Sequence, residues 1–254
     1  MSARVPALVT GAARRIGAAI ALDLAANGFD VAIHCNGSRD EAEDVAGRAA
    51  ALGARTAVIA ADLTDFASSG RVVDEAAAAL GAPVRLLVNN ASLFEDDSLA
   101  DFGWEAWERH FAVHLKAPVE MARRMAAALP ARDDGLVVNV IDQRVWRLRP
   151  QFFSYTLSKS ALWTATRTMA QALAPRVRVN AIGPGPTLRN TRQSEDDFSR
   201  QVQAVPLQRG PGLDEFGSTI RYLWAARSVT GQMIALDGGQ HLAWQTPDGT
   251  GMAE

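Results

Sequence analysis

Seven short apolar runs, each closed by turn residues, alternate along this chain with seven stretches of helical pattern, and that alternation leaves few folds open to it. Ala7–Thr10, Asp30–His34, Thr56–Ala60, Leu86–Asn89, Leu136–Ile141, Arg178–Ala181 and Met233–Leu236 read as strands. Runs of this kind are expected of a parallel sheet buried on both faces, with helices filling the gaps. The helical stretches are Ile16–Asn27, Arg39–Leu52, Ser68–Leu80, Trp104–Leu129, Ser154–Leu173, Glu195–Val205 and Leu213–Ala226. Many are rich in alanine, which favours helix and permits close packing on a sheet. The implied class is α/β, a doubly wound parallel sheet of about seven strands. With 254 residues and 48% hydrophobic content, the chain suits one large core rather than two. We expect one domain over residues 1–240 and a polar tail over 241–254, with Pro247, Gly249 and Gly251.

A glycine turn sits between the first strand and the first helix, in Thr10-Gly11-Ala12-Ala13-Arg14-Arg15-Ile16-Gly17. Gly11 suits the tight turn, Gly17 lets the helix approach the sheet, and the helix N-terminal amides then face a pyrophosphate. Strand two ends in His34-Cys35-Asn36-Gly37-Ser38-Arg39. An NAD site places Asp or Glu there for the ribose hydroxyls. No carboxylate stands there to repel a 2'-phosphate, and Ser38, Arg39, Arg15 and Arg14 supply donors, so the sequence favours NADPH/NADP. Asp62-Leu63 after strand three suits the adenine ring, and Asn89-Asn90-Ala91-Ser92 after strand four lines the crevice at the strands' carboxyl ends.

The second signal is Tyr155-Thr156-Leu157-Ser158-Lys159. It sets a phenol and an ammonium at i and i+4 on one helix face. A nearby ammonium favours the phenolate and lowers the phenol pKa, which suits a proton carrier.

Together these residues resemble the short-chain dehydrogenase/reductase family from Thr10 to about Gly239, including Asn180-Ala181-Ile182-Gly183-Pro184-Gly185, Thr230-Gly231-Gln232 and Asp237-Gly238-Gly239. The resemblance implies a Rossmann-like fold, with Tyr155 as proton donor and Lys159 holding the nicotinamide ribose. Its cofactor residues fall on Gly11, Arg14, Arg15, Ile16, Gly17, Asn36, Ser38, Arg39, Asp62, Leu63, Asn89, Ala91, Ser92, Tyr155, Lys159, Pro184 and Gly185. Three departures mark a branch: Arg15 replaces the middle glycine, Ser92 ends the Asn-Asn-Ala motif, and Asp142 replaces the catalytic serine thirteen positions before Tyr155. This combination resembles the pteridine reductase and dihydromonapterin reductase branch, in which Phe94 corresponds to the aromatic that stacks on the pterin. The substrate residues so implied are Arg15, Ser92, Phe94, Asp142 and Tyr155. Asp142 has a plainer alternative as a turn cap and Phe94 as a core residue.

The expected reaction is hydride transfer from NADPH to a pterin C=N bond, with Tyr155 and Asp142 delivering the proton. The alternatives are a carbonyl reductase acting on a 3-oxoacyl thioester or other ketone, and a non-catalytic NADPH-binding sensor. His114 stands where the wider family has an asparagine, and either a backbone role or a buried, hydrogen-bonded side chain fits it. A lid is expected over residues 186–209, with Thr187, Arg189, Arg192 and the Glu195-Asp196-Asp197 cluster. Relatives imply a homotetramer, with Trp104, Trp107, Phe111 and Trp163 as candidate interface aromatics. A net charge of -2 offers no field for nucleic acid or anionic membrane. The single cysteine, Cys35, excludes a disulfide framework and multi-cysteine zinc patterns, and no metal is expected. No apolar run reaches about 18 residues and the N-terminus carries no signal-peptide pattern, so the expected setting is cytoplasmic.

Overall fold

The computed structural model describes residues 4–190 and 193–245. All seven apolar runs form strands: β1 (Val5–Val9), β2 (Phe29–Cys35), β3 (Thr56–Ala60), β4 (Leu86–Asn89), β5 (Gly135–Val140), β6 (Val177–Pro184) and β7 (Met233–Leu236). They make one parallel sheet in the order β3-β2-β1-β4-β5-β6-β7. The runs are continuous because both faces are covered. Ala7 and Val9 enter one core layer while Leu8 enters the other, and Val31/Ile33 against Ala32 and Leu86/Val88 against Leu87 repeat the alternation.

The helices are α1 (Arg15–Ala26), α2 (Arg39–Ala51), α3 (Phe66–Leu80), α4 (Trp104–Phe111), α5 (Ala117–Ala128), α6 (Phe153–Leu173), α7 (Glu195–Gln203) and α8 (Leu213–Ala225). Ile20 and Leu24 of α1, Val45 and Ala49 of α2, and Phe216, Ile220 and Leu223 of α8 fill the first layer. Val72, Val73 and Leu80 of α3, with Met121 and Met125 of α5, fill the second. The strand order reverses between β1 and β4, which opens a crevice at the carboxyl ends of the strands.

One expected helix is divided. The stretch Trp104–Leu129 carries a π-helical segment at Ala112–Lys116, where the Ala117 N–H reaches back five residues to the Ala112 carbonyl. Pro118 follows at once and has no N–H to offer the His114 carbonyl, so the regular ladder fails there. Helix α3 starts two residues before the expected Ser68 because the Asp65 carboxylate accepts from the Ala67 and Ser68 N–H groups. Arg192 of the expected lid and residues 246–254 of the expected tail lie outside the described residues. Among those described, no helix is long and apolar enough to cross a membrane.

Candidate active site at the carboxyl ends of the strands

The glycine turn is a close-packed corner. Gly11 has φ +61, and a Cβ there would stand 2.8 Å from Ala91 Cα. A Cβ on Gly17 would meet the Gly11 carbonyl oxygen at 2.3 Å. The Asn90 amide donates to the Thr10 and Gly11 carbonyls at 2.9 and 3.0 Å, and the Thr10 hydroxyl accepts from the Asn90 and Ala91 N–H groups, both at 3.0 Å. The β1 and β4 ends are thereby tied together. Arg15 takes φ +54, the left-handed conformation that a glycine would hold without strain. Helix α1 has no acidic residue in its first turn and no side-chain cap, so its N-terminal amides remain available to an anion.

His34 braces this turn. The Gly11 N–H donates to Nδ1 at 3.2 Å, so the proton sits on Nε2, which donates to the Ala61 carbonyl at 3.0 Å. The ring is 2% exposed, and burial lowers its pKa to about 4. Between pH 6.5 and about 4 the unfolded chain therefore binds a proton that the folded ring refuses. Stability falls on acidification across that window, by about 3 kcal/mol at its lower end. In denaturant titrations at pH 7.5 and 5, His34→Asn should lose less stability on acidification than the parent.

Asp142 follows β5 and faces the Tyr155 side chain from α6. The Tyr155 hydroxyl donates to Asp142 Oδ2 at 3.0 Å, while Oδ1 accepts from the Arg144 N–H at 2.8 Å. Asp142 thus caps the short Gln143–Val145 turn and also holds the phenol, so the cap does not exclude the contact with Tyr155. Tyr155 is 5% exposed and the Asp142 side chain 18%. Burial pushes the carboxyl up, opposed by the Arg144 guanidinium and N–H. Burial also pushes the phenol well above its ordinary range, and the Asp142 charge adds to the push.

That direction corrects the sequence expectation that Lys159 would lower the Tyr155 pKa. Lys159, 2% exposed, donates a hydrogen bond to the Val140 carbonyl at 2.9 Å, and its Nζ lies 5.8 Å from the Tyr155 ring centre. Burial lowers its own pKa to about 8, against the pull of Asp142. Desolvation and the carboxylate outweigh the Arg144 charge and the Ser92 hydrogen bond, which pull the phenol the other way.

Beyond Tyr155, Phe94 stacks on Phe152 with centres 4.4 Å apart and meets the Tyr155 ring edge-on at 4.8 Å. The Arg144 guanidinium lies 5.4 Å from the Phe94 ring centre and 4.6 Å from that of Phe152. The sequence expectation for His114 resolves in favour of the side chain. Its Nε2 accepts from the Leu93 N–H at 3.1 Å and lies 3.0 Å from the Ser92 hydroxyl. Nδ1 then donates to Ser158 Oγ at 2.8 Å, and Ser158 donates to the Tyr155 carbonyl at 2.7 Å. The Ser92 loop is so fastened to the helix that carries Tyr155 and Lys159.

Several of the other expected cofactor residues already have partners within the chain. The Leu63 side chain is buried in the second core layer, which leaves only its backbone for a ligand. Asn89 is buried and its amide donates to Asn139 Oδ1 at 2.8 Å, a link between strands. Arg14 pairs with Glu41, and Arg39 with Glu43 at 3.5 Å; both pairs are exposed and therefore weak. Arg15 donates to the Leu188 and Arg189 carbonyls at 3.0 and 2.9 Å. Asp62 is exposed and accepts from the Thr64 N–H at 2.9 Å. Ile16 packs against the first core layer, and Asn36 and Ser38 sit at the mouth of the turn before α2. Pro184 ends β6, and a Cβ on Gly185 would approach Asp237 Cα to 2.6 Å.

The sequence pattern of the short chain dehydrogenases matches residues 6–200. The chain belongs to that family. This short-chain dehydrogenase is 62% identical to FolM alternative dihydrofolate reductase 1 from Brucella suis, a crystal structure in complex with NADP, with a TM-score of 0.94 over 98% of this chain and 99% of that one. A blue fluorescent protein from a metagenomic library, in complex with NADPH, is 32% identical, with a TM-score of 0.86 over 93% of this chain and 97% of that one. The 3-oxoacyl-[acyl-carrier-protein] reductase FabG of Staphylococcus epidermidis is 30% identical over 93% of this chain and 98% of its own length.

Sequence reasoning overlooked Phe152, Arg144 and the bracing role of His34 in this short-chain dehydrogenase. The adjacent Phe152-Phe153 just before Tyr155 was a usable signal for the aromatic wall. An imidazole in place of the strand-two carboxylate was another.

Proposed function

We propose that this short-chain dehydrogenase is an NADPH-dependent pterin reductase. One observation carries the reading: the Asp142 carboxyl accepts the Tyr155 hydroxyl at 3.0 Å beside Phe94, where a serine is the family's usual acid partner. The 62% likeness to FolM alternative dihydrofolate reductase 1 supports it. Bound NADPH supplies the hydride. The uncapped first turn of α1 fits its pyrophosphate, since side chains at Gly11 and Gly17 would fill the space that the turn keeps closed around itself. Ser38, Arg14 and Arg39 fit a 2'-phosphate, and the weak exposed ion pairs of the two arginines are easily exchanged for it.

In this reading Tyr155 stays protonated through neutral pH and is a proton donor, not a phenolate. Asp142, with its pKa raised, shares that proton and hydrogen-bonds a basic ring nitrogen, so the two titrate as a pair. Lys159 spends one proton on Val140 and keeps two for the ribose. Phe94, backed by Phe152, offers a flat apolar wall for a planar heterocycle.

The likeness to FabG favours a second reading, reduction of a ketone. Asp142 opposes it, because a carboxylate beside a developing alkoxide repels charge. NADPH oxidation should be measured with dihydromonapterin and dihydrobiopterin against a panel of 3-oxoacyl thioesters and simple ketones. Turnover of the dihydropterins is expected; activity with ketones alone would remove the pterin assignment.

A further inference from the structure

The loop that presents Asp142 also carries Arg144, Arg147 and Arg149, three guanidinium groups within six residues. Arg144 lies at Asp142, Nε to Oδ2 3.8 Å, and rests against Phe94 and Phe152. Arg147 and Arg149 continue away from the phenol and line a cavity of about 450 Å³ together with Arg200, Gln201 and Asp197 of α7 and with Gln240. Asp197 is already engaged, since it pairs with Arg200 and accepts from the Ser194 hydroxyl. Among the described residues no carboxylate pairs with Arg147 or Arg149, whereas Arg14, Arg39 and Arg144 each have an acid within reach. The cluster also opposes itself. Burial, then Arg147 and Arg144, hold the Arg149 pKa below its ordinary value. Like charges collected in a concave site on the loop that carries Asp142 are stabilised by an anion that enters between them.

We propose that this cavity binds an anionic tail, carboxylate or phosphate, carried by the heterocycle that Tyr155 and Asp142 protonate, with Arg147 and Arg149 as its specificity-determining residues. The heterocycle itself rests on the pterin reading above; the anion subsite does not. The guanidinium fork suits either oxyanion, and about 450 Å³ accommodates a tail larger than a single ion.

The test uses the NADPH-loaded protein and the double variant Arg147→Gln/Arg149→Gln. KM should rise about tenfold or more for dihydrofolate, whose tail ends in a glutamate, and stay within about twofold for dihydromonapterin, whose tail is uncharged, with kcat unchanged for both. Arg147→Lys/Arg149→Lys should recover part of the dihydrofolate KM, which a purely structural role would not produce. A parallel rise for both substrates overturns the subsite, as does no change for either when anion binding is also unaltered in the Gln variant. Calorimetry with p-aminobenzoylglutamate and with inorganic phosphate separates the two kinds of tail and needs no turnover. Binding of either that weakens in the Gln variant upholds the subsite even if no pterin is reduced, in which case the pterin reading alone fails. Binding of neither, or equal binding by both proteins, overturns it.

Discussion

Asp142→Asn is expected to lower kcat/KM for a dihydropterin by about 10²–10⁴, the range of a positioned acid or base. The substitution keeps the Arg144 turn, because an amide oxygen still accepts from that N–H. It removes the charge that adds to burial in raising the Tyr155 pKa. The phenol pKa should therefore fall toward its ordinary value. Since the donor must be protonated, the alkaline limb of the pH–rate profile should move to lower pH in Asp142→Asn. Tyr155→Phe should cost a similar factor, and the double variant little more than either single one, as expected of groups that act as a unit. Additive losses, or an alkaline limb that stays in place, would show that the two side chains do not share a proton.

Gly17→Ala is expected to raise the Kd for NADPH by about 100-fold or more and to lower stability. Its methyl would stand 2.3 Å from the Gly11 carbonyl oxygen, 2.6 Å from Asn90 Nδ2 and 2.9 Å from Ala12 Cα. Two of these three are backbone atoms of the turn, so the turn itself must move. Alanine gains about 1 kcal/mol in helix propensity, and the displaced packing costs about 1–3 kcal/mol or more, so strain decides the sign. A shift near 1 Å in ligand-facing groups is enough for about a 10²-fold loss of function. Gly47→Ala in α2 is the control, since its Cβ meets nothing within 4 Å and the helix should gain stability. Fluorescence titration with NADPH, beside thermal unfolding of both variants, checks the pair.

The sheet was legible because burial on both faces removes polar residues from a strand altogether. Val31-Ala32-Ile33 needs no partner to be recognised. The Tyr155–Asp142 contact was legible from the thirteen-residue interval and the resemblance, and it holds. What escaped depends on contacts between segments far apart in the chain. His34 takes its partners from Gly11 and Ala61, 23 and 27 residues away, and no local pattern announces such a brace. An i+4 interval correctly placed Lys159 near Tyr155, yet spacing does not report desolvation, so the sign of the phenol shift came out reversed. Leu63 and Asn89 were placed at the crevice by their position after strands three and four; which way each side chain turned was fixed by the core. The π-helical interruption had one local cue, Pro118.

The Ser92–His114–Ser158 chain joins floor and helix into a single stiff member, while the opposite bank of the crevice is held otherwise. Helix α7 buries no side chain, and the segment before it is moored to the cofactor turn by the guanidinium of Arg15 on two carbonyls. Ligands of unequal bulk must then be accommodated by yielding on that bank alone, so discrimination by shape belongs to the rigid side and tolerance of size to the other.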